Sequence, residues 1–303
     1  MQSLLLYQRR NDMKAITEFI CPGAVEAKTD TEESICSDDA TTTVEETPST
    51  GPSQIVDVKP EAASDQKEQI TRKKIRVCKI GSEHIFANVN NHDFAFNLLN
   101  MKVVLDGCGS GKHSEVGTKV FGQLFARKAK EYFEKGETIN EDNFIEVINS
   151  IFLKMLELCN DLTFIFNNYC FTILVCFEKE DEFVVYSCGD GYIIKENEEG
   201  ISFEKLDDGE YPCYYIYNYI MDKSALIEYK EGVTFKVTRF SKTEYSNVGV
   251  ATDGLRYFEN LLEVEKNKFL DYLRKGMGSR IEVLINRNNI KNELFHDDIS
   301  ICF

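Results

Sequence analysis

Four short stretches of this 303-residue chain place carboxylates at the ends of strand-like apolar runs. VVLDG (103–107), SCGDG (187–191) and GVATDG (249–254) each carry Asp-Gly directly after such a run, and HDDIS (296–300) carries two aspartates directly before one. If two sheets stack, strand ends distant in sequence meet at one edge. Aspartates gathered there repel one another and rise in pKa unless a cation neutralises them. Oxygen-only ligands suit magnesium or manganese rather than zinc. Plainer readings stand beside this one. Asp-Gly after a strand is common turn chemistry; SCGDGYIIK (187–195) reads equally as a hairpin, and HDDIS as a solvated loop.

The glycine-rich run VVLDGCGSGKHS (103–114) invites comparison with a phosphate-cradling loop, and its spacing excludes one. Such a loop needs its first glycine five residues before its second, and a hydroxyl after the lysine. Counting back from Gly111 reaches Asp106, and Lys112 is followed by His113. A carboxylate would also repel the anion that a nest of N–H groups is built to hold. Asp106 is therefore the chemical group. Gly107, Gly109 and Gly111 are read as turning the chain sharply beneath it, Lys112 as solvent-facing, and Ser114 as the cap of the next helix.

The net charge of −16 disfavours nucleic acid and anionic membranes, which are recognised by basic patches, and favours cationic partners such as metal ions. Ten cysteines stand singly, without a C-x-x-C pair, and several lie in apolar runs such as YCFTILVCF (169–177), as expected of free thiols in a reducing cytoplasm. The N-terminus has its basic residues after its short apolar run, the wrong order for a secretory signal, and no apolar run is long enough to span a membrane.

Residues 22–69 hold four of the five prolines and no aromatic residue, and their twelve acids face three lysines. Such a segment cannot offset its ordering entropy by burial, so residues 1–74 are expected to form an acidic, Ser/Thr/Pro-rich disordered arm. Residues 75–303 read as one domain. Strands are expected at 75–80, 84–89, 93–99 and 101–105, then at 170–177, 183–188, 192–195, 201–206, 226–230, 233–240 and 247–252, with a closing strand at 299–303. Helical spacing is clear in 114–134, where Gly117, Phe121, Leu124, Phe125, Lys128 and Tyr132 share a face. It is equally clear in 141–159, started by Asn140, and further helices are expected at 258–275 and 279–288. This order predicts an α+β fold: a four-layer α-β-β-α sandwich of two mostly antiparallel sheets flanked by helices.

The motifs in their order resemble the metal-dependent protein phosphatases of the PPM type, the type 2C serine/threonine phosphatase family, and in particular its divergent bacterial branch. NNHD (90–93), DGCGS (106–110), CGDG (188–191), ATDGL (251–255) and DDIS (297–300) correspond to its N-x-D, D-G-x-G-G, G-D-S, T-D-G-L and D-D-x-S motifs, and GSEH (81–84) resembles the G-x-x-H start of that branch.

The resemblance implies two divalent ions, Mn2+ or Mg2+, at one end of the sandwich. Asp106 would bridge both, the Gly107 carbonyl and Asp297 would hold one, and Asp253 the other. Asp93 would hold a water of that centre, and Asp190 with Asp253 a weaker third ion. The implied reaction is hydrolysis of phosphoserine and phosphothreonine on proteins by a water activated between two ions, without a covalent enzyme intermediate. The implied partners are a phosphorylated protein and a cognate Ser/Thr kinase, and the chain is taken as a cytoplasmic monomer. The aromatic stretch 207–225 falls at the family's flap, where Tyr211, Tyr214 and Tyr217 serve either substrate choice or packing, and packing is the reading adopted.

Several positions depart from the family. Cys108 stands where many members have a histidine able to act as general acid, Asn88 where many have a phosphate-binding arginine, His92 where an acid or amide precedes Asp93, and Ser110 where a second glycine is usual. The alternative is thus a weak or inactive pseudophosphatase that binds or regulates phosphoproteins. His84 and His113 could donate a proton near neutral pH but are read, with His296, as surface or structural residues.

Overall fold

The computed structural model describes residues 74–98, 100–206, 213–220 and 232–303. The acidic arm, the strand expected at 226–230 and Tyr211 lie outside the described residues.

Why the central strands are apolar on both faces is plain from β3 (Met101–Gly107), where successive side chains enter different cores. Val103 and Leu105 pack outward against helices, while Val104 packs inward against the opposite sheet. The same alternation runs through β4 (Phe171–Glu178) and β5 (Glu182–Cys188). With β2 (Phe94–Leu98) and β8 (Lys236–Ser241) they form one antiparallel sheet in the order β2-β3-β4-β5-β8. The second sheet is β1-β10-β9-β6-β7, built from β1 (Arg76–Lys79), β6 (Gly191–Asn197), β7 (Gly200–Leu206), β9 (Asn247–Ala251) and β10 (Ile299–Cys302).

Three cores follow from this arrangement. The inner one joins Val104, Leu174, Val185, Ile193, Val248 and Val250 from the two facing sheets. One outer core joins the first sheet to α2 (Ser114–Glu134) and α3 (Glu141–Leu158) through stacked and tilted phenylalanines, among them Phe121, Phe152 and Phe171. The other joins the second sheet to α5 (Glu263–Arg274) and α6 (Gly278–Asn292) through Phe269, Leu273, Ile281 and Ile285. This is the four-layer α+β sandwich that the sequence predicts. Lys102, buried between the sheets, is satisfied there by Asn247 Oδ1 and the Val248 carbonyl, each accepting from Nζ at 2.6 Å.

Local chemistry fixes the helix ends. Asn140 caps α3, accepting from Asp142 N while its own N–H donates to Asn143 Oδ1, as its position before two acids predicts. A short helix that periodicity does not reveal, α4 (Leu162–Asn168), starts where Asp161 Oδ1 accepts from Phe164 N at 2.9 Å. The helix expected from 258 begins at Glu263, because Asp253–Asn260 winds as a 3₁₀ helix and Leu261 is buried before the chain turns into α5.

One expected strand is a helix. HIFANV (84–89) has the composition of a strand, yet Ser82–Ala87 forms α1. Ile85 and Phe86 are exposed, so their β-propensity has no core to serve. The turn is instead held from outside, by a carboxylate on Gly81 N and His84. Asn88 ends it in the left-handed region at φ 54°, which asparagine tolerates. Among the described residues no helix is long and apolar enough to cross a membrane.

Candidate functional site

The ends of strands in the two sheets carry the carboxylates. Asp106 is the last residue but one of β3, Asp190 lies between β5 and β6, Asp253 follows β9, and Asp297 precedes β10. Asp93 precedes β2, which pairs with β3 so that Phe94 faces Leu105. The hairpin reading of SCGDG fails: β5 belongs to one sheet and β6 to the other, so Asp190 sits on a crossover between them.

Burial and the neighbouring charges together set the state of these acids. Burial first, then the charges of Asp93, Asp253, Asp297 and Asp190, push the Asp106 carboxyl well above the usual range. Asp93, 1% exposed, is pushed well up by burial and by Asp298. Its Oδ2 accepts from Thr252 Oγ1 at 2.7 Å, while Oδ1 is buried with no partner. Burial raises Asp253 to about 6, opposed by Arg256 and assisted by Asp297 and Asp190, and its carboxyl is within hydrogen-bonding reach of Asp106. Arg256, one helical turn on from Asp253, donates to it through Nη1, and through Nη2 to Asp297 Oδ2 at 3.1 Å. Among the described residues no three His, Cys, Asp or Glu side chains close up as a ready coordination shell; these acids are neighbours, two of them spanned by an arginine.

The aspartate pair before β10 divides its labour. Asp297 faces Arg256 with its side chain 40% exposed. Asp298 is buried and accepts three hydrogen bonds: Gly81 N at 2.7 Å on Oδ1, His92 N at 2.6 Å on Oδ2, and His84 Nδ1 at 2.8 Å on Oδ2. That clamp ties α1 and the NNHD turn to the DDIS loop. Gly254 permits the approach, since a Cβ there would lie 1.9 Å from the Asp298 carbonyl oxygen.

The glycines after Asp106 act otherwise than the sequence suggests. None of Gly107, Gly109 and Gly111 has a positive φ. Gly107 is required for space, a Cβ there meeting the His92 carbonyl and Ser114 Oγ at 2.8 Å, whereas at Gly109 it would meet nothing within 4 Å. Ser114 does not cap α2 with its side chain; Oγ donates to the Cys108 carbonyl at 2.9 Å and so fixes the loop that follows Asp106. Lys112 is exposed, as expected.

The other candidates separate. Cys108 Sγ lies 3.0 Å from Ser110 Oγ and is hydrogen-bonded to the Tyr214 side chain. Burial would raise this thiol, but those partners and nearby backbone N–H groups outweigh it and hold it below its ordinary value. Tyr214 and Tyr217 are buried in the helix-side core, as the packing reading expects. His84 is raised by its bond to Asp298, and His113 and His296 are largely exposed. Sequence reasoning missed Thr252, Arg256, Glu115 and the clamping role of Asp298. Arg256 had a signal, an opposite charge three residues after Asp253; Glu115, which accepts from Asn90 Nδ2 at 3.1 Å, had none.

Comparison with known proteins bears on the fold and the family. No curated protein matches the sequence. A bacterial serine phosphatase crystal structure is similar in fold, with a TM-score of 0.51 at 15% identity over 76% of this chain and 96% of its own. So is the serine/threonine phosphatase Stp1 from Staphylococcus aureus, with a TM-score of 0.50 at 15% identity over 80% of this chain and 98% of its own. The family model described as Protein phosphatase 2C matches residues 80–283, a span that holds four of the five clustered acids. The chain therefore belongs to the protein phosphatase 2C family and is, by that membership, a protein phosphatase.

Proposed function

We propose that the chain is a metal-dependent phosphatase that hydrolyses phosphoserine and phosphothreonine on proteins at this acid-lined edge. The observation that carries the reading is the convergence of Asp93, Asp106, Asp190, Asp253 and Asp297, three of them raised in pKa by burial and by one another. The donor set is carboxylate oxygen, with the Gly107 carbonyl beside it, which fits hard divalent cations such as Mn2+ or Mg2+. Asp106 would hold two ions, Gly107 and Asp297 one of them, and Asp253 the other, with Asp190 and Asp253 offering a weaker third place. Ions bound there supply an activated water and neutralise phosphoryl charge.

The chain's own groups do the rest. Thr252 fixes Asp93 Oδ2, which leaves Oδ1 as the atom that accepts a hydrogen bond from the attacking water. The Cys108 thiol, next in the chain to Gly107 and held by Ser110 and Tyr214, would be the proton donor to the departing serine or threonine oxygen.

A pseudophosphatase reading has specific support in Arg256, which already spans Asp253 and Asp297. Turnover of a phosphopeptide by the purified chain separates the two. Mn2+-dependent phosphate release that vanishes in Asp106→Asn is expected, whereas Mn2+ binding without any release assigns the chain to phosphoprotein binding.

A further inference from the structure

Arg256 is the cation of the acid cluster. Its guanidinium reaches Asp253, Asp297 and the Tyr257 hydroxyl, the last at 3.1 Å, and its central carbon lies 4.9 Å from the Tyr257 ring centroid. Among the described residues it is the Lys or Arg that forms ion pairs with these acids. The side chain is 46% exposed, so it has room to turn.

Two charges compete for the same carboxylates. A guanidinium cannot keep its bonds to Asp253 and Asp297 once those oxygens face dications, because its own charge is then repelled and its acceptors are taken. Stacking on Tyr257 holds the displaced group at the rim of the site. A phosphoryl dianion arriving there presents oxygens that a planar, five-donor fork can bind in pairs. Position 88 cannot supply that fork. Asn88 is exposed, and its backbone N–H is used on the His84 and Ile85 carbonyls to end α1.

We propose that Arg256 binds the phosphoryl group of the substrate, leaving Asp253 and Asp297 when metal arrives and supplying the guanidinium that Asn88 does not. The inference rests on the phosphatase reading of the site. Its test is calorimetric titration of the full chain with Mn2+ alone, then of the Mn2+-loaded protein with inorganic phosphate, for wild type, Arg256→Lys and Arg256→Ala. Circular dichroism establishes that each variant is folded.

Arg256→Ala is expected to bind Mn2+ at least as tightly as wild type, since a competing cation is gone. It should bind phosphate about ten- to a hundredfold more weakly, the range for lost hydrogen bonds to a charged group. Lysine, with the charge but no fork, should fall between them. With a phosphopeptide, KM should rise more than kcat falls. Unchanged phosphate affinity in a Mn2+-loaded Arg256→Ala protein overturns the proposal and leaves the phosphatase reading standing, and loss of Mn2+ binding in that variant overturns it by making Arg256 a strut of the acid cluster. Failure of wild type to take up Mn2+ overturns both.

Discussion

Asp297 and Asp298 are neighbours in sequence with opposite energetics. Asp298 is fully enclosed and satisfied by three donors, two of them backbone N–H groups, and so behaves as a rivet between DDIS, NNHD and α1. Asp297 belongs to a set that is crowded and under-satisfied: Asp93 has an orphaned oxygen, Asp106 and Asp253 are driven up in pKa, and one arginine serves two acids. A buried carboxylate with donors stabilises a fold, whereas carboxylates facing one another cost stability until a cation joins them. The difference marks which acids the fold needs and which it tolerates for chemistry.

The largest effect expected from breaking that contrast is on turnover. Asp106→Asn removes the charge at the centre of the crowded set, so Mn2+-dependent release of phosphate from a phosphopeptide should fall by about a hundred- to a thousandfold, on the scale typical of losing a principal electrostatic group. The same change should leave the thermal midpoint of the metal-free protein unchanged or raise it, because a repulsion is relieved. A midpoint lowered by several degrees without metal would show that Asp106 is a rivet like Asp298.

Asp298→Ala should do the reverse. It strands the Gly81 and His92 N–H groups and His84, at a cost on the order of 3 kcal/mol. For a domain of this size that is roughly 10 °C in thermal midpoint. Urea unfolding of this variant should show the loss equally with and without Mn2+, whereas a loss seen only with Mn2+ would place Asp298 among the metal-facing acids.

The crowded set also has a pH signature. A carboxyl raised in the folded protein stabilises it below its unfolded pKa, and that contribution is lost as pH rises through the folded value. Asp253, raised from 3.8 to about 6, should therefore cost the metal-free protein up to about 3 kcal/mol between pH 4 and pH 7, with Asp93 and Asp106 adding in the same direction. Thermal midpoints measured across that range in EDTA should fall, and Mn2+ should restore stability most at the upper end. A flat profile in EDTA would mean that the acids are not in mutual repulsion.

Much of this site is legible in the sequence because its chemistry is local. An aspartate followed by glycine at the end of an apolar strand marks Asp106, Asp190 and Asp253, and the strands themselves announce two covered sheets. The helix pair 114–134 and 141–158 follows from apolar spacing, and Asn140 from capping chemistry. What stays hidden depends on contacts outside the local run, the longest across more than two hundred residues. Nothing in HIFANV says that Asp298 will hold Gly81 and His84 in a helical turn, and β-branched and aromatic residues point to the wrong element there. Nor does DGCGS reveal that Gly107 is needed for space against His92 while Gly109 is not.

Thr252 gives the smallest effect and the sharpest one, because it joins Asp93 to the strand that follows Asp298. Its Oγ1 donates to Asp93 Oδ2 at 2.7 Å and accepts from Ser300 N at 2.8 Å, linking the crowded set to the β9–β10 ladder that the Asp298 loop leads into. Thr252→Val keeps the shape and removes both bonds. The stranded Ser300 N–H should cost about 1–2 kcal/mol by urea unfolding. Asp93, without its fixed oxygen, should lose orientation, so that kcat falls by roughly tenfold while the KM for a phosphopeptide stays within twofold, as expected when a group acts in the transition state more than in binding. Thr252→Ser restores the hydroxyl and should recover kcat. If serine recovers stability but not kcat, Thr252 acts on packing alone, and the water-orienting part given to Asp93 fails with it.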